Sequence, residues 1–249
     1  PACTGPGQRC GSEHAPFWMR QAATPAQRGR ARRDIPAPAA GPLQWTRQSR
    51  KVMAMPVKTG TPPGPSARER LLAAASELFY AEGVHTVGID RVIEKAGVAK
   101  ASLYNTFGSK DELVRAYLET RHASVTQLLT LAVERYDTPR ERLLAVFEGQ
   151  GELFARPGYR GCAFSRASAE SQPGDLAEQA AEGYRRWVRE LLTELATQAG
   201  VPEPEVLARQ LHLLYDGSGQ SARMDHDPAA AAAARVAAAI LLDAALASA

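Results

Sequence analysis

The residues best suited to chemistry lie in one short stretch. Between Lys95 and Lys110 the chain has three lysines and no carboxylate, and at its centre Lys100, Ala101, Ser102, Tyr104 and Asn105 surround an apolar pair, Leu103 and Phe107, four apart. On a helix that pair shares the inner side, and the other five are left for the outer one. Those five are slim or hydrogen-bonding, the character needed to enter a DNA major groove and meet base edges. Lys110 would open the next helix, where a lysine opposes the helix dipole unless an anion such as a DNA phosphate is close. The structural alternative is plain packing, since helix–glycine–helix junctions are common and a tyrosine such as Tyr104 often sits half-buried.

No comparable grouping points to catalysis or to a metal. His85, His122, His212 and His226 are scattered, with no pair at the i, i+4 spacing of a metal-binding helix, and Ser165 and Ser168 have no visible histidine and carboxylate partners. A helical enzyme that does not bind DNA is the remote alternative. No catalytic residue, metal or cofactor is expected.

The elements that must hold the basic stretch are marked by punctuation. A short helix with Ile89, Val92 and Ile93 stops at Ala96-Gly97, and a second begins within about three residues. Gly97 permits a positive φ, small Ala96 allows close approach and Val98 can plug the gap, which together make a helix-turn-helix. Upstream, Ser66-Ala67-Arg68-Glu69 is a capping-box pattern opening a helix that Gly83 ends. Downstream, Ser109 opens a long helix to about Arg135, and Thr138-Pro139 opens another to about Ala155. Further helices are expected from about Ala163 to Ser171, Asp175 to Ala199 and Glu205 to Arg223, with a last one capped by Asp227 and starting at Pro228. No alternating β-branched runs intervene. The fold class is all-α, about nine helices, with a three-helix helix-turn-helix domain over 66–113 and a helical domain over 114–249.

Composition bounds the setting. The 249 residues are 45% hydrophobic and 23% charged, enough for one or two ordinary domains. Residues 1 to 60 hold ten Lys+Arg and two Asp+Glu, leaving 20 of the chain's 30 basic and 25 of its 27 acidic residues for the rest. The tail is thus +8 and the body −5, so any DNA contact by the body must be a local patch. Residues 1–65, rich in Pro, Gly, Ala, Arg and Gln, read as a disordered basic tail. Met53 or Met55 is the expected start, with what precedes it not native coding sequence; the rival is a basic arm that adds non-specific phosphate attraction. Cys3, Cys10 and Cys162 lack paired spacing, which favours a reducing, cytoplasmic setting. The alanine-rich end, 229–249, carries Arg235 and Asp243, and alanine is weakly apolar, so no membrane span is expected.

From Ser66 to about Leu118 the chain resembles the DNA-binding domain of the tetracycline-repressor (TetR) family of bacterial transcription regulators. Ala96-Gly97-Val98, Leu103-Tyr104 and Phe107-Gly108-Ser109-Lys110-Asp111-Glu112-Leu113 carry the resemblance, with Leu78-Phe79-Tyr80-Ala81-Glu82-Gly83 at the end of the leading helix. The resemblance implies recognition by the helix from Lys100 to Phe107. Lys100, Ala101, Ser102 and Tyr104 are then candidates for base edges, and Thr86, Tyr104, Asn105 and Lys110 for phosphates. Two positions depart from the family's habit: Ala99 replaces a common serine cap, and Ala101 a frequent glycine.

The resemblance also implies that 114–249 binds a small effector and forms a homodimer. The expected partners are a double-stranded DNA operator, a second copy of the chain and an unidentified small molecule. Small residues on the last two helices, including Ala208, Gly217, Ala237 and Ala238, suit a close four-helix interface. Phe147, Phe154, Tyr159, Cys162, Phe164, Tyr184 and Trp187 are the pocket candidates, although a bundle core needs the same residue types. The resulting expectation is a repressor that binds a palindromic operator as a homodimer and is released by ligand. Redox response through Cys162, were Arg160 or Arg166 to lower its pKa, is the second reading.

Overall fold

The computed structural model describes residues 64–247; the expected tail, apart from Gly64 and Pro65, lies outside them. Among the described residues there are nine helices and no strand. They are α1 (Ala67–Glu82), α2 (Ile89–Ala96), α3 (Lys100–Phe107), α4 (Lys110–Val133), α5 (Pro139–Phe154), α6 (Ala163–Glu170), α7 (Leu176–Gln198), α8 (Pro204–Met224) and α9 (Ala230–Ala247).

Local chemistry accounts for most of the helix starts. At α1 the Ser66 hydroxyl accepts from the Glu69 N–H at 3.2 Å while the Glu69 carboxylate accepts from the Ser66 N–H at 2.7 Å, a complete capping box. Ser109 caps α4 by accepting from the Glu112 N–H at 3.1 Å, and Thr138 caps α5 at 3.3 Å with Pro139 in the first turn. The last helix departs from expectation, beginning at Ala230 rather than Pro228. Asp227 accepts from the Ala229 N–H at 2.8 Å through its side chain and from the Ala230 N–H at 3.4 Å through its carbonyl. These bonds make residues 227–229 a tight turn that leads into the helix.

Helices α1 to α3 bury Leu71, Phe79, Val92 and Leu103 against Leu113 of α4, in a core continuous with that of α5 to α9. The expected division between residues 113 and 114 falls inside α4, a continuous helix that therefore joins both regions. Helix α9, at mean hydropathy 1.8, is by length and composition apolar enough to cross a bilayer, although 22% of it is buried inside the protein. Both of its charges face α5: Arg235 pairs with Glu148 at 2.7 Å and Asp243 with Arg140 at 2.8 Å. Those pairs fix its register in the bundle.

Candidate nucleic-acid interface and inner cavity

The turn between α2 and α3 is built as the residue types require. Gly97 takes φ +61°, a left-handed conformation costly for residues with a Cβ, and the Val98 N–H closes the helix end by donating to the Ile93 carbonyl at 3.3 Å. Helix α3 starts at Ala99 with no side-chain cap. Its inner side is Leu103, fully buried, and Phe107, whose ring has the Arg68 guanidinium 5.2 Å from its centre. Its outer side leaves Lys100, Ala101 and Asn105 exposed and Tyr104 44% exposed, whereas Ser102 is half-buried. Thr86 is exposed in the preceding loop, and the Lys110 ammonium lies 3.5 Å from the adjacent His85 carbonyl, which brings those two candidates together. Asp111 and Glu112 share the first turn of α4 with Lys110 and offset its unfavourable position.

The cations of this face are not idle. Lys100 pairs with Asp90 at 3.0 Å, and the hydrogen bond it donates to that carboxylate raises the lysine's pKa. Arg91 meets Glu82 at 2.6 Å and Lys95 meets Glu77 at 2.7 Å. Asp90 is a functional neighbour that the sequence reading missed, because it sits ten residues from Lys100 across the turn. All these pairs face solvent, so water and salt already weaken them and phosphates can replace the carboxylates.

A cavity of about 70 Å³ lies between α4, α5, α6, α7 and α8. Five of the seven pocket candidates line it: Phe154, Tyr159, Cys162, Phe164 and Tyr184. Phe147 does not; it is fully buried in the core. Trp187 does not either, and lines a separate groove with His122, whose ring it meets edge-on at 5.1 Å. Burial holds the His122 imidazole below its ordinary pKa. Within the cavity wall the Tyr184 and Tyr215 hydroxyls are 2.7 Å apart, and burial pushes both phenols up in pKa. Gln150, unremarked in the sequence, donates to the Tyr215 carbonyl at 2.7 Å and accepts from Ser218 at 2.8 Å. No periodic signal could have picked out this glutamine, since its partners are 65 and 68 residues away.

The cavity wall is tied to the helix-turn-helix. The Tyr80 hydroxyl, at the end of α1, donates to the Gly161 carbonyl at 3.1 Å and accepts from the Arg160 N–H at 2.9 Å. Arg166 of α6 donates to the Tyr80 carbonyl at 2.7 Å. Glu170, the last residue of α6, accepts from the His85 N–H at 2.9 Å, one residue before Thr86. Its carboxylate crowds Gly83, where a Cβ would come within 2.7 Å of Oε1 and where φ is +102°. The backbone conformation therefore calls for glycine there, and any larger residue would also have to displace the Glu170 carboxylate.

Comparison with known proteins gives a consistent picture. The family model for bacterial regulatory proteins of the tetR family matches residues 71–117. A solved TetR-family transcriptional regulator from Streptomyces coelicolor is similar with a TM-score of 0.68 and 33% identity, over 72% of this chain and 95% of that one. The transcriptional activator FasR of Mycolicibacterium smegmatis is 37% identical over 86 residues, 34% of this chain and 39% of its own length. The transcriptional repressor NemR of Escherichia coli is 32% identical over 105 residues, 41% of this chain and 53% of its own length. The chain thus spans about half or less of these two curated relatives.

Proposed function

The chain belongs to the TetR family and is a DNA-binding transcriptional regulator, and from that premise we propose that it binds a palindromic operator as a homodimer and releases it when a small effector fills the inner cavity. The observation that carries this reading is the outer side of α3, where Lys100, Ala101, Tyr104 and Asn105 are exposed to solvent while Leu103 anchors the helix from beneath. Lys100, Ala101, Ser102 and Tyr104 read base edges; Thr86, Tyr104, Asn105 and Lys110 hold phosphates.

Two copies are needed because one short helix makes too few base contacts for tight specific binding. Helices α8 and α9 supply a surface for the second copy: Leu213 is 73% exposed and Ile240 65%, with Val206 and Val236 also exposed. Large aliphatic side chains on two adjacent helices are better covered by a two-fold partner than by water. That pairing would set the two α3 helices on successive half-sites.

Two routes lead from cavity to DNA. Helix α4 runs unbroken from Lys110 into the cavity wall at Arg121, and the 160–170 segment holds the end of α1 through Tyr80 and His85. An effector that binds one arrangement better by a few kcal/mol would shift the separation of the recognition helices. A regulator lost from DNA on binding its effector acts as a repressor where its operator overlaps a promoter. It works in the cytoplasm, where the chromosome is.

Selection of bound DNA from a random pool should return a palindrome. On that site Lys110→Ala should weaken all sequences alike and flatten the salt slope by about one, while Ser102→Ala should relax base preference. A selected pool without two-fold symmetry, or identical behaviour of the two variants, would overturn the assignment.

A further inference from the structure

The cavity's polar groups are unevenly committed. Tyr80 and Tyr159 donate to the Gly161 and Gly219 carbonyls at 3.1 and 3.3 Å, and Gln150 is engaged at both ends of its amide. The one carboxylate in the lining, Asp216, is taken by Arg185 at 2.6 Å, with His212 3.7 Å from its other oxygen. Arg121 is different. Its guanidinium stacks 3.7 Å from the centre of the Tyr80 ring and hydrogen-bonds the neutral Tyr117 hydroxyl, but its Nε is buried with no hydrogen-bond partner and it takes part in none of the ion pairs among the described residues. Its charge is reinforced by Arg166 on the Tyr80 carbonyl and by Arg223, whose side chain lies against Gly161. A cavity with this field favours an anion and disfavours a cation.

The rest of the wall is flat and aromatic. Phe164 and Tyr184 stack at 3.9 Å, and Phe154 and Tyr159 are tilted together at 5.0 Å. The space suits a planar ring edge or face. It is smaller than the roughly 300 Å³ at which drug-sized sites begin. An engineered cavity that takes up benzene measures about 150 Å³, so a one-ring ligand already has to push the wall apart here, including the segment that holds Tyr80.

We propose that the effector is a single-ring aromatic acid whose carboxylate docks on the Arg121 guanidinium, with its ring among Phe154, Phe164 and Tyr184. The planar guanidinium fork matches a carboxylate with two parallel hydrogen bonds, which an ammonium cannot do. The anchor then lies on α4 and against Tyr80, the two elements through which the cavity meets the helix-turn-helix. This assignment rests on the cavity being the effector site, and direct binding in the absence of DNA tests it separately.

Titration calorimetry of the full chain would use benzoate, benzamide and benzylamine, which share a ring and differ in charge. Benzoate should bind at least about tenfold more tightly than the other two, as expected for a charge-assisted bidentate contact. Arg121→Gln should remove that preference, and Arg121→Lys should keep only part of it. Because Arg121 stacks on Tyr80, a second variant guards against misfolding. Gly219→Ala places a methyl 3.7 Å from the Tyr159 hydroxyl and 3.8 Å from the Phe154 ring, ordinary contact that narrows the cavity, and should weaken benzoate in a folded protein. Benzamide or benzylamine binding as tightly as benzoate, no benzoate binding to the unaltered chain, or Arg121→Gln leaving benzoate unaffected would each overturn the proposal. Benzoate binding by a chain that selects no operator would uphold it and sink the DNA reading instead.

Discussion

The helix-turn-helix and the inner cavity hold their polar groups in opposite ways. Around α3 the charges sit in exposed pairs, Lys100 with Asp90 and Arg91 with Glu82, each partner replaceable by phosphate. In the cavity wall the polar atoms are buried and interlocked, with Gln150, Ser218, Tyr215 and Tyr184 joined by bonds of 2.7 to 2.8 Å. The first arrangement lets a surface exchange partners at little cost. The second resists any rearrangement except one that supplies new partners, which is what a ligand does. In the proposed function, that difference is what lets one region bind DNA and the other respond to a ligand.

The comparison can be broken most sharply at Gln150. Gln150→Ala removes a buried amide and leaves the Ser218 hydroxyl and the Tyr215 carbonyl to satisfy each other, beside a new void. It should lower stability by about 2–3 kcal/mol in urea unfolding. A loss under about 1 kcal/mol would mean that the wall is not interlocked.

A smaller effect of opposite sign is expected at the other region. Ala99→Ser restores a hydroxyl at the uncapped start of α3 and should stabilise the chain by about 1 kcal/mol, read as a raised thermal midpoint. If capping is purely local there, the salt slope of operator binding will not change.

The smallest effect concerns pH. Burial lowers the folded-state pKa of His122 from 6.5, so the unfolded chain takes up its proton first as pH falls. The stability this ring contributes is complete above about pH 6.5 and is lost as pH drops through that value toward the folded-state pKa. His212, also lowered by burial but opposed by Asp216, adds to the same trend. His122→Asn should flatten the stability profile between pH 7 and 5; an unchanged slope would show that this groove is wetter than its aromatic walls imply.

What could be read in advance follows the reach of each interaction. The caps at Ser66, Ser109 and Thr138 act within three residues, and the Gly97 turn within six, so the helix ends and the helix-turn-helix were visible in residue types and spacing. The start of α9 was misplaced by two residues because Asp227 can cap a turn as readily as a helix. The cavity was visible only as a composition. Phe154 and Phe147 lie on the same helix and are chemically identical, yet one faces the space and the other the core. Arg121, Gln150 and Tyr215 carried no pattern at all.

Sequence alone therefore determined where helices begin, turn and stop, and which helix presents a basic, slim-sided face, because those outcomes depend on bonds spanning about one helical turn. Only the tertiary structure decided that Glu170 grips the loop before Thr86 and that Arg121 is left without a carboxylate. Those outcomes depend on the register between helices up to 85 residues apart, which the packing of the whole core sets at once.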